Sequence, residues 1–334
     1  MKILYAIQGT GNGHLSRAID IIPCLQKHGE VDIVVSGIQG DLKLPFDVKY
    51  ELRGLSFIFG KRGGVDLWKT FARTNIRKFL KSMRELPVED YDLVINDFEP
   101  VSAWACYAKN IPCIALSHQA AVLNSRYPLP ESPDMKGKMI LQNYAPATVK
   151  YGFHFSGDNE SIFTPVIRQQ VREQEVTDQG HYTVYLPSYD DVKLVKYLSE
   201  YKNARWDVFS KHNKKPIAMK NIIIQPINNV LFTGSMAASS GVLCGAGFET
   251  PAEALFLGKK LLVIPMKNQY EQQLNAAALK EMGVPVIKNL KPRNRDVINE
   301  WLGNGKVIPV NYPDITQEII DKVIAKHGVP AMVL

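Results

Sequence analysis

Cysteine is scarce in this chain and scattered. Cys24, Cys106, Cys113 and Cys244 form no CxxC pair and no Cys/His cluster. That pattern excludes a disulfide framework and a zinc ribbon, and four reduced core thiols are expected. Long hydrophobic runs are missing too. No stretch approaches the ~20 apolar residues that a transmembrane helix needs. After Lys2 only a handful of apolar residues precede Gln8 and a run of glycines, so no signal peptide is read there. These absences predict a cytoplasmic protein. Charged residues make up 22 % and hydrophobic residues 46 % of the sequence, which excludes a disordered or fibrous chain.

Charge of one sign is confined to one place. The net charge is +7. Between residues 61 and 84 stand Lys61, Arg62, Lys69, Arg73, Arg77, Lys78, Lys81 and Arg84, with Asp66 the sole acid. This segment accounts for the whole excess, and the remainder is nearly neutral. Apolar residues from Trp68 to Met83 predict a helix, on which Lys69, Arg73, Arg77 and Lys81 recur every four residues. Such a face suits an anionic membrane surface or a phosphate-bearing lipid acceptor. An ordinary solvated basic face accounts for it equally well. Nucleic acid is disfavoured, because no recognition module accompanies the patch.

At 334 residues the chain has room for two ordinary α/β domains. Residues 2–7, 31–36, 92–96 and 113–117 read as strands. Helical patterns over 15–28 and 101–109 fall between them. This alternation predicts a parallel sheet. Residues 151–156 read as its last strand. The pattern breaks at FTPVIRQQVREQ (163–174), which is extended at its proline. It then restarts, with strands over 183–188, 204–210, 220–225, 241–244 and 261–266 and helices over 192–198, 250–257 and 269–282. The expectation is two similar α/β units, residues 1–165 and 166–334, with the last helix a candidate to pack back on the first.

Two constellations carry chemistry. GTGNGH (9–14) joins the first strand to the first helix. Glycines there let backbone N–H groups approach a ligand, and the helix N-terminus favours an anion. A tight turn alone accounts for the glycines but does not require His14. That residue is a candidate general base or hydrogen-bond donor to a phosphate, with a surface or capping role as the plain alternative. The second constellation is GAGFETPAEALFLGKKLLVIPMKNQYEQQLNA (245–276). It follows a strand and enters a helix with Pro251 in the first turn, where no N–H is missed. Glu253 follows, and then a polar loop with Gln269, Glu271, Gln272 and Asn275. The plain reading is a helix-dipole acid and a solvated loop.

The spacing Gly247-x5-Glu253-x4-Gly258, then Pro265 and Glu271-Gln272-x-x-Asn275-Ala276, resembles the donor-nucleotide motif of GT-B glycosyltransferases. It is similar above all to UDP-sugar-dependent enzymes: the N-acetylglucosaminyltransferase of peptidoglycan lipid assembly and the small-molecule glucosyl- and glucuronosyltransferases. GTGNGH is similar to that family's acceptor-side loop, and FTPVIR (163–168) to its interdomain linker. The resemblance implies two Rossmann-like domains facing across a cleft, the first for an acceptor and the second for a nucleotide-sugar donor. Glu253 would accept hydrogen bonds from the ribose. Gly247, Phe248, Glu249 and Thr250 would offer N–H groups to the diphosphate, with Gly11 and Gly13 also on the donor side. Glu271 and Gln272 would bind donor-sugar hydroxyls, with Asn275 beside them. Ser188 sits where the family has a small-residue loop, but Pro187 and Tyr189 depart from that pattern, and Glu271 stands for an Asp or Gln.

The implied reaction is transfer of a sugar from a UDP-sugar to an acceptor hydroxyl, inverting and without a metal or other cofactor. No Asp-x-Asp motif of the metal-dependent transferases is read in the chain, Asp190 and Asp191 being adjacent rather than spaced by one. Backbone N–H groups and a helix dipole would meet the leaving-group charge. His14 is the first candidate for the base and Asp97, at a strand end, the second. His118, at another strand end, is either a cleft residue or a buried hydrogen-bonded one. A lipid-linked acceptor would place the protein on the inner face of the membrane, at the cell envelope. The alternatives are a UDP-sugar epimerase of the same fold and a non-catalytic nucleotide-sugar binding protein. A dinucleotide oxidoreductase is disfavoured, because GTGNGH lacks the GxGxxG spacing.

Overall fold

The computed structural model describes residues 1–37, 43–54, 76–124, 126–131, 134–157 and 160–328. In the first half, β1 (Lys2–Gln8) leads into α1 (Gly13–Gln26), followed by β2 (Glu30–Ser36) and β3 (Tyr50–Leu52). Then come α2 (Ile76–Glu85), β4 (Leu93–Asp97), α3 (Pro100–Lys109), β5 (Cys113–Ser117), α4 (His118–Val122) and α5 (Met135–Asn143). β6 (Val149–Phe153) and β7 (Ile162–Phe163) complete this half. The seven strands form one parallel sheet in the order β3-β2-β1-β4-β5-β6-β7.

The second half runs through α6 (Gln169–Arg172), β8 (His181–Tyr185), α7 (Asp191–Leu198), β9 (Arg205–Ser210), β10 (Ile217–Met219) and β11 (Ile222–Pro226). α8 (Asn229–Ala238), β12 (Gly241–Gly245), α9 (Glu249–Phe256), β13 (Lys260–Ile264), α10 (Tyr270–Glu281), α11 (Arg295–Asn304) and α12 (Thr316–His327) follow. Its sheet order is β10-β11-β9-β8-β12-β13, parallel except for the β10/β11 edge hairpin.

The central strands are apolar without alternation because helices cover both faces. Every residue of β4 and β5 is buried. In each sheet the order reverses at its first strand, between β1 and β4 and between β8 and β12. Doubly wound sheets place ligand sites at the carboxyl ends of such strand pairs. β1 and β4 run in register from Ile3 opposite Leu93 to Ile7 opposite Asp97, so Gln8 and Asp97 finish on the same edge.

The largest apolar cluster is continuous across both halves. Phe155 and Phe248 meet in it, with ring centroids 5.0 Å apart. α12 and the segment before it return to the first half: His28 Nε2 is 2.7 Å from Asp321 Oδ1, and Tyr312 donates to the Phe155 carbonyl at 3.0 Å.

Several elements carry no clear sequence signal. β3 and β10 are three-residue edge strands. α8 contains Gly234 and three Ser, Thr or Asn residues, and Asn228 caps it by accepting from Leu231 N at 3.0 Å. β7 extends the first sheet beyond the expected last strand by pairing Phe153 with Phe163. Of the helix expected over 68–83, residues 68–75 lie outside the described residues. The part described, α2, has no fully buried residue, and Phe79 and Met83 are half-buried against the core.

Candidate active site at the carboxyl ends of the two sheets

The turn after β1 is built by its glycines. Gly9 N donates to Ser36 O at 2.7 Å, and a Cβ at Gly9 would stand 2.7 Å from Val35 Cγ1. Gly11 adopts φ +92°, the left-handed region that glycine enters without penalty. α1 then starts at Gly13 with no side-chain cap from Asn12, so His14 lies in its first turn.

His14 Nδ1 is 2.8 Å from Asp97 Oδ1. Asp97 is wholly buried, while the His14 side chain keeps 13 % exposure. Arg17, one turn along α1, is 1 % exposed and grips the same carboxylate. Its Nη2 is 2.7 and 2.8 Å from the two oxygens, and its Nε is 3.2 Å from Oδ2. Burial alone would raise the Asp97 pKa; the charges of Arg17 and His14 outweigh it and hold the carboxyl below its usual range. Burial alone would lower His14, but the Asp97 charge and hydrogen bond outweigh it and raise the imidazole above its ordinary value. With Nδ1–H donated to Asp97, Nε2 is the ring atom left for chemistry.

Phe98 follows Asp97 at φ +58°, an unusual conformation for a bulky residue. Its ring lies nearly parallel to His14, with centroids 6.4 Å apart, and packs on Tyr144 at 4.8 Å. Gln8 donates to the Tyr144 hydroxyl at 2.6 Å. His14, Phe98, Gln119, Leu141, Tyr270 and Glu271 are among the residues lining an open cleft of about 750 Å³. Gln119 closes one side by donating from Nε2 to Glu271 Oε2 at 3.0 Å; the same nitrogen is 3.4 Å from His14 Nε2.

α9 closes on the start of α1 from the other half, and neither it nor residues 247–248 are among the residues lining the cleft. Its N-cap, Phe248, has no side-chain acceptor to offer, so the first-turn N–H groups lack a side-chain cap. A Cβ at Gly247 would meet nothing within 4 Å. The Glu249 side chain crosses to the other half, where it accepts from Arg17 Nη1. A Cβ on Gly13 would stand 2.5 Å from Glu249 Oε2, so the glycine permits that approach. Thr250 is half-buried in the same turn, and Ser188 is half-buried in the turn between β8 and α7.

Of the expected donor-side residues Glu271 alone is in the cleft lining, and Glu253, Gln272 and Asn275 are committed elsewhere. Glu253 is 2 % exposed and does not line the cleft. Both its oxygens are held by Arg168 of the connecting segment, Nε to Oε1 at 2.5 Å and Nη2 to Oε2 at 2.7 Å. Gln272 binds its own loop: Oε1 accepts from Met266 N at 2.9 Å. Asn275 donates to Ala246 O at 3.1 Å, supporting the glycine turn from behind. His118 is 1 % exposed, with Nδ1 2.8 Å from Phe153 O and Nε2 2.7 Å from Asn275 Oδ1. It stacks on Phe248 with centroids 3.9 Å apart, and burial lowers its pKa. It joins the two halves and is absent from the cleft lining.

Arg77 and Lys81 lie exposed on α2, away from the cleft, and Lys69 and Arg73 fall outside the described residues. The chain does hold an Asp-x-Asp triplet, Asp90–Tyr91–Asp92. It precedes β4, at the end of the sheet opposite the site, and Asp92 Oδ2 accepts from Lys2 N at 2.7 Å.

A family model described as glycosyl transferase family 1 matches residues 1–305. The chain belongs to this family. As a family 1 glycosyltransferase it has the GT-B architecture. It is similar to MurG of Acinetobacter baumannii at 15 % identity and TM-score 0.56, covering 97 % of this chain and 99 % of that one. It is similar to UGT89C1 of Arabidopsis thaliana, solved with UDP, at 11 % identity and TM-score 0.57, covering 98 % and 100 %. SsfS6 of Streptomyces sp. SF2575, solved with thymidine diphosphate, shares 14 % identity at TM-score 0.58, covering 97 % and 99 %. These likenesses are of fold. No curated protein matches the sequence.

Three residues of this glycosyltransferase site escape a reading by motif: Arg17, Gln119 and Arg168. Arg17 alone has a local signal, because three residues after His14 puts it on the same helix face. Gln119 and Arg168 act on partners 152 and 85 residues away.

Proposed function

We propose that this glycosyltransferase moves a sugar from a nucleoside-diphosphate sugar, with uridine as the base, to an acceptor hydroxyl. Transfer proceeds with inversion and without a metal. The observation that carries the reading is the His14–Asp97 pair, whose histidine lines the cleft, together with the α9 N-terminus that reaches the same helix through Glu249 and Arg17. The complexes of two structural relatives with UDP and thymidine diphosphate support a nucleoside diphosphate as leaving group.

In this reading His14 Nε2 takes the proton of the acceptor hydroxyl. The acceptor oxygen attacks the anomeric carbon from the face opposite the diphosphate, forming one C–O bond as the bond to the phosphate oxygen breaks. Asp97 keeps the imidazole in the Nδ1–H tautomer and stabilises the imidazolium; wholly buried and gripped by Arg17, it serves as orienter rather than as base. The N–H groups of residues 247–250 and the Thr250 hydroxyl meet the diphosphate, with the α9 dipole behind them. Gly11 and Gly13 keep the opposite wall low. Glu271 receives donor-sugar hydroxyls, and Gln272 and Asn275 hold its loop and the glycine turn. Glu253 reaches the ribose only if it exchanges Arg168 for it. Residues 1–165 form the acceptor side and 166–334 the donor side. The basic face with Arg77 and Lys81 suits an anionic membrane surface beside a lipid-linked acceptor. Among the described residues no helix is long and apolar enough to cross a membrane.

The test is thermal unfolding against UDP, GDP, TDP, CDP and NAD, with Glu253→Ala as control. A ligand at ~100 times its dissociation constant adds ~2.7 kcal/mol. A UDP-selective shift that is lost in Glu253→Ala supports the donor site. A shift with NAD alone overturns the reading.

A further inference from the structure

Arg17 has two anionic partners, one from each half of the chain. Its Nε and Nη2 are committed to Asp97, which is wholly buried and cannot leave. Its Nη1 points the other way, to Glu249, whose side chain is 23 % exposed. The inner partner is permanent by its burial, and the outer one sits at the solvent edge.

Glu249 occupies an unusual position for a carboxylate. It is the first residue of α9, where the N–H groups have no side-chain cap. One of its oxygens binds Arg17, and the other lies beside Gly13 at the start of α1. Two helix N-termini and a guanidinium therefore converge on one acid. This is the electrostatic environment that selects phosphate. A diphosphate seated on the α9 N-terminus and the Glu249 carboxylate cannot both hold Nη1.

We propose that Arg17 Nη1 is a diphosphate-binding group of the donor site, and that Glu249 is the carboxylate it exchanges for the donor. Asp97 keeps the guanidinium in place while the outer partner changes. The exchange puts one residue in contact with both the donor's leaving group and the Asp97 that orients His14. The inference rests on the donor reading above.

Calorimetric titration tests it, with the nucleoside diphosphate that binds best among UDP, TDP, GDP, CDP and ADP, and with its parent nucleoside. Glu249→Gln keeps size and removes the competing charge. The expected result is diphosphate binding about tenfold tighter than wild type, the order of one charge-assisted hydrogen bond, with nucleoside binding unchanged. Arg17→Lys keeps the charge but loses the fork, and is expected to weaken diphosphate binding. If Arg17→Lys fails to fold, the Glu249→Gln comparison decides alone. Equal or weaker diphosphate binding by Glu249→Gln overturns the exchange and leaves the donor reading standing. An equal gain for the nucleoside also overturns it, because the phosphates are then not what Glu249 opposes. Diphosphate bound by neither protein overturns both readings.

Discussion

His14 and Asp97 meet through a 2.8 Å Nδ1–Oδ1 contact in which only the histidine reaches solvent. The aspartate ends a central strand and the histidine begins a helix. A group that is wholly buried cannot take a proton from an acceptor; a ring with one nitrogen tied back can.

His14→Ala is therefore expected to lower kcat by about 100- to 10,000-fold, the usual contribution of a general base. Donor affinity, measured by titration with the nucleoside diphosphate, is expected to stay within about twofold, because the ring contributes to the base rather than to phosphate binding. Unchanged turnover would remove His14 from the mechanism.

The pH profile follows from the same pair. The His14 pKa is raised on balance by Asp97, and a base works in its neutral form. kcat/KM is expected to rise with pH through a midpoint above the ordinary histidine value of about 6.5. Asp97→Asn removes the raising charge, so the limb moves to lower pH while kcat falls. A limb that stays in place in Asp97→Asn would sever the link.

Stability carries the opposite signs for the two groups. A raised His14 contributes stability that is present below its unfolded value and is lost as pH rises through its folded value. A lowered Asp97 contributes stability that is present above its unfolded value, about 3.9, and is lost as pH falls through its folded value. Urea unfolding between pH 3 and 8 is expected to show wild type losing, relative to Asp97→Asn, part of its advantage at the acid end.

Arg168→Met is expected to cost about 3–5 kcal/mol in urea unfolding, because it strands the Glu253 carboxylate in a buried site. Pairing it with Glu253→Leu is expected to recover much of that loss, since an apolar pair needs no partner. Equal losses in the single and double variants would mean that packing of Arg168, rather than its charge, matters there.

Turnover is expected to survive exhaustive treatment with EDTA, because N–H groups and the α9 dipole meet the leaving charge in the proposed mechanism. Loss of activity with EDTA and its recovery with a divalent cation would contradict the metal-free reading.

Much of this was legible in the chain itself. Continuous apolar runs identify the buried parallel strands, and their alternation with helical periods predicts the α/β class. The glycines of GTGNGH and GAGFE mark two strand-to-helix turns, because close backbone approach and positive φ leave few other residues to choose. These are local constraints, set by neighbours within one turn or one strand, so they appear as spacing in the sequence. Edge strands β3 and β10 and the helix α8 were not legible, since three residues or a Gly- and Ser-containing decapeptide carry too little pattern.

Pairing was decided only by the tertiary structure. Arg17 meets Glu249 across 232 residues, and Glu253 faces Arg168 rather than the cleft. Nothing near Glu253 in the chain distinguishes a carboxylate that faces a ligand from one that faces a linker arginine. The partner of a buried charge is set by where distant segments close on each other, and desolvation then commits the charge to whatever lies there. Local pattern determined that two helices begin directly after glycine turns at strand ends. Closure of the two sheets determined that they face each other with one arginine between them.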